Sequence, residues 1–283
     1  MSDELDKLRQ WVGRTESMSD TITAWPVAAL AATLDRNDPA PQSGDELPPG
    51  WHWLYFLETK PASELGNDGH PKRGGFLPPV PLPRRMWAGG RIEFLTPLRI
   101  GDAIRRDSEI LSVETKHGRS GSLVFVTVRH TISANGAIAV REEHDIVYRD
   151  AAKAGDPPPP GKPAPANAAW QRSLLGDPVL LFRYSALIFN AHRIHYDLDY
   201  VRNEEHYPGL IVHGPLQTTL LLDLCRRHSG RPVKKLVYRA LHPVFHTERF
   251  TVNGNPDADG SGAEVWTANA AGSLAMTGTA TFG

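Results

Sequence analysis

The chain has 283 residues, 40% of them hydrophobic and 22% charged, which is enough apolar content for a real core. A net charge of −1 excludes a polybasic nucleic-acid binder or a charge-anchored membrane protein. The single cysteine, Cys225, excludes an internal disulfide framework and a Cys-rich zinc site, and its place beside an apolar run reads as a buried small hydrophobe.

No stretch approaches the roughly 20 apolar residues of a membrane span. The first ten residues carry both charge signs without the apolar core of a signal peptide. The expectation is a cytoplasmic protein with neither a nucleic-acid nor a membrane partner.

In chain order, a mixed opening leads to residues 91–102 and then to three strands over 103–114, 122–134 and 138–148. The middle one alternates apolar with polar and is rich in β-branched residues, the pattern of a half-buried strand. Between the second and third strands, Ser133-Ala-Asn-Gly136 predicts a hairpin turn, since Asn-Gly accepts positive φ angles. Residues 156–165 hold six prolines, which suits a stiff extended linker and neither a helix nor a central strand. The predicted division is therefore 1–150, a linker over 151–167, and 168–283.

The second half repeats the first in outline. A helix is predicted over 215–228, with Leu216, Leu220, Leu221, Leu224 and Cys225 at helical spacing and Gly230 and Pro232 ending it. Strand-like stretches follow over 236–250, 265–271 and 273–282. Pro97 and Pro243 take equivalent places, each after a strand. The implied fold class is α+β made twice, each unit a curved antiparallel sheet around a central helix.

The densest group of chemical side chains is Tyr184-Ser-Ala-Leu-Ile-Phe-Asn-Ala-His-Arg-Ile-His-Tyr-Asp197, followed by Pro208-Gly-Leu-Ile-Val-His-Gly214. On residue types alone, His192 and His195 are catalytic groups, solvated loop residues or metal ligands. No recognised zinc spacing is completed, so no metal is expected.

These segments resemble the hydratase motif of the MaoC-like, or (R)-specific enoyl-CoA hydratase, hot-dog family. That motif reads Asp-x-Asn-Pro-Ile-His-x-Asp with a Gly-[Leu/Phe]-Ile-x-His-Gly segment downstream. The form here, with Leu82-Pro-Arg-Arg-Met-Trp-Ala-Gly-Gly90 in the first half, is similar to the branch of mesaconyl-C4-CoA and itaconyl-CoA hydratases and 3-hydroxyacyl-thioester dehydratases. The resemblance implies a double hot-dog lyase acting on an α,β-unsaturated acyl-CoA, with coenzyme A entering as part of the substrate and no other cofactor. It is consistent with a homodimer.

Carried onto this chain, the motif implies His195 as the acid–base group. Asn190 stands where the family usually has aspartate. An amide is no base at neutral pH but can orient a water. His213 and Gly214 mark backbone N–H groups at a helix start, suited to a thioester oxygen. Arg84, Arg85, His192 and Arg193 are candidates for binding the substrate or its coenzyme A, and a carboxylated acyl group would give an arginine a purpose. Asp197 reads as a loop-fixing residue.

Residues 34–40 can be laid against 189–195, with Ala40 at the place of His195. They are then either a decayed copy of the motif or an ordinary Asn-Asp-Pro turn. A decayed copy fits a first half that shapes the acyl pocket and a second that catalyses. The competing functions are a 3-hydroxyacyl-thioester dehydratase of fatty-acid synthesis, a non-catalytic acyl-CoA-binding hot-dog protein and a thioesterase on the same fold.

Overall fold

The computed structural model describes residues 7–118, 121–150 and 161–283. Residues 151–160 of the predicted 151–167 linker lie outside them. Its end is held down: Leu274 N–H donates to the Lys162 carbonyl at 2.8 Å and Ala164 N–H to the Gly272 carbonyl at 2.8 Å.

The alternating run of the first half folds as expected, into β3 (Ala103–Gly118), β4 (Gly121–Ala134) and β5 (Ala137–Arg149). Asn135 and Gly136 take φ of 52° and 79°, the positive pair that a two-residue hairpin turn needs. The second half supplies β7 (Val233–Ala240), β8 (Arg249–Pro256), β9 (Gly262–Ala268) and β10 (Leu274–Phe282). Three strands were not legible as such: β1 (Thr15–Thr21), β6 (Trp170–Leu175), and β8, hidden by its Asn-Gly-Asn-Pro end. The first two are short sheet-edge strands with an exposed outer face and so little apolar patterning.

With β2 (Arg84–Phe94), the ten strands form one antiparallel sheet in the order β1-β3-β4-β5-β2-β7-β10-β9-β8-β6. The order is a mirror image about the β2–β7 seam. Strands β1, β3, β4, β5 and β2 of one half correspond to β6, β8, β9, β10 and β7 of the other. The match reaches single hydrogen bonds. Leu95 and Thr96 N–H donate to the Ala139 carbonyl as Leu241 and His242 N–H do to that of Ala275. These are the loops of Pro97 and Pro243.

The halves differ in what the sheet wraps. In the second half, helix α4 (Gly214–His228) buries every residue from Leu216 to Cys225. Each fully buried leucine there contributes roughly 2 kcal/mol of transfer free energy. In the first half, the plan of a helix inside each sheet shrinks to one 3-10 turn, Trp51–Leu54. Positive φ at Gly50 (82°) and Phe56 (58°) bounds that turn. A Cβ on Gly50 would sit 2.4 Å from Leu222 Cδ1 of α4, so only glycine fits there.

Candidate active site

Helix α2 (Pro178–Leu187) delivers the motif. Its N-cap Asp177 accepts from Val179 N–H at 2.8 Å and Leu180 N–H at 3.2 Å, with Pro178 at the first turn. The helix ends with Phe189 at φ 49° and Asn190 N–H donating to the Ser185 carbonyl at 2.8 Å. The side-chain carbonyl of Asn190 then accepts the His192 N–H at 2.9 Å, which shapes the turn. Asp197 caps helix α3 (Leu198–Asn203) by accepting from Tyr200 N–H at 3.0 Å, and it pairs with Arg193 at 2.7 Å.

His195 is buried, and its Nδ1 lies 2.7 Å from the Ile211 carbonyl. A carbonyl only accepts, so Nδ1 carries the proton and Nε2 holds a lone pair. Ile211 N–H donates back to the Ile194 carbonyl at 3.0 Å, so one residue clamps the motif from both sides. Burial pushes the His195 pKa down to about 4, against the pull of that carbonyl. The ring is therefore neutral near pH 7, with the Nε2 lone pair available to accept a proton.

His213 stacks on His195 at 3.6 Å between ring centres and lies within 2.8 Å of the Ser185 hydroxyl through Nε2. It is the N-cap of α4, and Gln217 N–H makes a first-turn bond to its carbonyl at 3.1 Å. The N–H groups of Gly214 and Leu216 precede that bond and have no acceptor inside the helix. Pro215 between them has none to satisfy. A cluster of free donors at the positive end of a four-turn helix suits an oxyanion.

A loop of the first half closes over this motif. Asp68 takes His70 Nδ1 at 3.1 Å, and the His70 ring packs 3.9 Å from that of His192, itself 5.4 Å from His195. The Asp68 carbonyl accepts Arg193 N–H at 2.9 Å. Gly69, at φ 87°, lies so close that a Cβ would meet the Ala191 carbonyl oxygen at 1.9 Å. Burial lowers the pKa of both His70 and His192, the latter far below the histidine range. Asp68, His70 and His192 are the one group among the described residues with metal-ligand types in reach of each other. His70 already engages Asp68, and its ring packs at a tilt against that of His192.

Strand alternation separates the two arginines. Arg84 is buried against Glu205, with Nε–Oε2 at 2.8 Å, and lies over the Tyr207 ring. Arg85 pairs in register with Tyr148, on the same face of the sheet as Trp87. Trp87 packs against the α4 start, where a Cβ on Gly214 would sit 3.2 Å from its Cβ, and stacks 3.7 Å from His144.

The sequence pattern of hydroxyacyl-thioester dehydratase type 2 (Htd2) matches residues 50–246, which span this loop, both arginines and the whole motif. The chain belongs to the Htd2 family. It is 48% identical to mesaconyl-C(4)-CoA hydratase of Chloroflexus aurantiacus over 88% of this chain and 89% of that protein. It is 26% identical to the mitochondrial hydroxyacyl-thioester dehydratase type 2 of Schizosaccharomyces pombe over 81% of this chain and 86% of that one. A Mycobacterium tuberculosis protein described as having a double hotdog fold matches with a TM-score of 0.60, at 14% identity, over 98% of this chain and 97% of that chain. The double hot-dog architecture expected from the sequence is thus the observed one. Hydration and dehydration are two directions of one reaction, so the enzyme class that the motif implied, a hydro-lyase, holds.

Of the residues singled out in sequence, this Htd2 chain gathers His192, His195, His213 and Gly214 at one place. Arg193 and Arg84 have their charges engaged by Asp197 and Glu205. Sequence reading missed the Asp68–His70 loop and Trp87. The loop's one signal was Asp68-Gly-His70, an acid and a histidine two apart across a glycine. Among the described residues, no helix is long and apolar enough to cross a membrane.

Proposed function

We propose that the chain hydrates the double bond of an α,β-unsaturated acyl-CoA whose short acyl group carries a carboxylate. Mesaconyl-C4-CoA to citramalyl-CoA is the leading case. The observation that carries the chemistry is His195, with Nδ1 fixed on a peptide carbonyl and a basic Nε2 left free beside the start of α4. The choice of acyl group rests on the relative from Chloroflexus aurantiacus.

In this reading, His195 Nε2 takes a proton from water as the oxygen bonds to the β-carbon. The π electrons move onto the thioester oxygen, where the Gly214 N–H and the α4 dipole stabilise the charge. The proton on Nε2 then goes to the α-carbon, which restores the neutral imidazole. Asn190 holds His192 in place by its carbonyl, and its amide N–H groups are what it offers to the attacking water. Coenzyme A belongs to the substrate, no other cofactor takes part, and the setting is cytoplasmic.

A second reading, dehydration of 3-hydroxyacyl thioesters in fatty-acid synthesis, is favoured by the family match and the yeast relative. Incubation with mesaconyl-C4-CoA, itaconyl-CoA and crotonyl-CoA, followed by loss of enoyl-thioester absorbance, separates them. The leading reading expects fast loss with a carboxylated substrate. Turnover restricted to crotonyl-CoA and longer chains moves the assignment to the dehydratase, and binding without turnover removes the enzyme.

A further inference from the structure

The concave face of the sheet at the β5–β2–β7 seam is unusually polar. Arg85 and Trp87 share it on β2, opposite Tyr148 and Ile146 of β5, and a β-bulge follows between Trp87 and Gly89. Beyond the bulge, Gly90 faces His144 on one side and Tyr238 on the other. A Cβ at Gly90 would lie 2.7 Å from the Tyr238 hydroxyl, so glycine leaves that hydroxyl its place.

The arginines around this seam are engaged differently. Arg73 donates to the carbonyls of Val80, Leu82 and Pro83, and Arg84 pairs with Glu205. Arg85 makes no ion pair among the described residues, although it reaches the Tyr148 hydroxyl and its charge is felt at Asp68, His70, His192 and His144. A half-buried guanidinium has five N–H donors, and none of those of Arg85 is taken up in an ion pair among the described residues.

Beside it, three further polar groups are buried without a fixed partner. His144 Nε2 has none among the described residues. The Trp87 indole N–H and the Tyr238 hydroxyl lie near each other and make no hydrogen bond among the described residues. Such groups carry a desolvation cost in a folded protein, and a cluster of them needs an occupant.

We propose that Arg85, with the Trp87 indole N–H and the Tyr238 hydroxyl, forms an anion subsite that reads the carboxylate at the far end of the acyl group. The subsite rests on the hydratase reading and deepens it. Trp87 links the two places, since it packs on Gly214, where the thioester oxygen is held, and carries its N–H onto the same concave face. A planar carboxylate matches the two-pronged guanidinium, and a lysine at this position would offer a point charge instead.

The same guanidinium chemistry would also suit a coenzyme A phosphate, and the substrates separate the two sources. Mesaconyl-C4-CoA and crotonyl-CoA share every phosphate and differ in the acyl carboxylate. The experiment measures kcat/KM for both in the full chain and in Arg85→Gln and Arg85→Lys. The expected result is a fall of about 10²-fold or more in the mesaconyl-to-crotonyl ratio for Arg85→Gln, as for removal of one partner from a buried charge pair. Arg85→Lys should fall in between. Tyr238→Phe should lower the same ratio by about tenfold, the worth of one hydrogen bond to a charged group.

An unchanged ratio with both substrates weakened equally would place Arg85 on a phosphate or in the fold, and would overturn the subsite. So would two unchanged rates. Calorimetry with the saturated pair methylsuccinyl-C4-CoA and butyryl-CoA reads the same preference without turnover. Loss of hydration with that binding preference intact therefore overturns the activity and leaves the subsite standing.

Discussion

The two halves share a backbone plan down to individual hydrogen bonds and differ where chemistry is needed. Leu47 N–H donates to the Leu98 carbonyl at 2.7 Å as Val212 N–H does to that of Val244 at 2.8 Å. Counting onward, Pro48 and Pro49 stand where His213 and Gly214 stand. The second half presents an N–H at the start of a four-turn helix, and the first has prolines there, with no N–H, ahead of a single 3-10 turn. Helix α1 (Ala24–Thr33) ends as α2 does: Arg36 N–H reaches back to Ala31 as Asn190 N–H does to Ser185, and Asp35 and Phe189 both take positive φ.

That register corrects the expected alignment by one residue. Asp35 matches Phe189, so Pro41, not Ala40, falls at the place of His195. After the end of α1 an ion network joins the first half to the second. Buried Asp223 receives Arg36, Arg172 at 2.6 Å and Arg227 at 2.7 Å, while Asp38 receives Arg36 and Arg226, each at 2.8 Å. Inside its sheet, Glu142 pairs with His52 at 3.0 Å and accepts the Trp53 indole N–H. With Ala139 matching Ala275, Glu142 matches Gly278 of the second half. The lesson is that a repeated fold keeps the skeleton and lets one copy hold ion pairs and prolines where the other has His195 and the Gly214 N–H.

The comparison breaks most sharply at Gly214. Gly214→Pro copies Pro49 into the second half, and Pro is tolerated at a helix start. The N–H is lost, and kcat should fall about 10²–10³-fold with circular dichroism unchanged. Wild-type rates would show that this donor is idle. Next in size is Glu142→Ala, which strands buried His52 and the Trp53 N–H. It should cost about 3–5 kcal/mol in urea unfolding, and a cost under about 1 kcal/mol would remove the structural role given to that pair.

Acid pH separates the halves more gently. His195 works as a free base, so kcat/KM should hold as pH falls through the ordinary histidine range and drop only near pH 4. A limb near pH 6.5 would contradict the burial argument. Stability moves the same way. Desolvation pushes half-buried His130 down to about 3 and His144 down to about 4 in the fold, against about 6.5 unfolded, so each contribution is complete above pH 6.5 and is lost as pH falls toward those values. Melting temperatures should decline over that window. Smallest of all, Pro41→His with Pro49→Gly should change turnover by less than about twofold, because Glu142 still occupies the sheet of the first half and the Arg36–Asp223 pair still holds the turn after α1; a second active site would raise it further.

Much of this was legible in the sequence where local pattern and chemistry coincide. Alternation gave β4 and the Asn-Gly turn its hairpin with β5, leucine spacing gave α4, and the histidine motif gave His195 with its helix start. What escaped depends on tertiary contacts. The loop of Asp68 and His70 gains meaning only because Gly69 packs on Ala191, over 120 residues away in the chain. Arg84 and Arg85 are identical letters until strand alternation sends one to Glu205 and the other to the concave face. The short central turn of the first half follows from Pro48, Pro49 and the positive φ angles around it, which apolar content alone does not reveal.

The most direct test is the rate of mesaconyl-C4-CoA hydration by His195→Ala beside the wild type, with methylsuccinyl-C4-CoA binding measured on both. The account predicts a loss of about 10²–10⁴-fold in kcat with binding retained. A variant that hydrates at the wild-type rate would place the base elsewhere and contradict it.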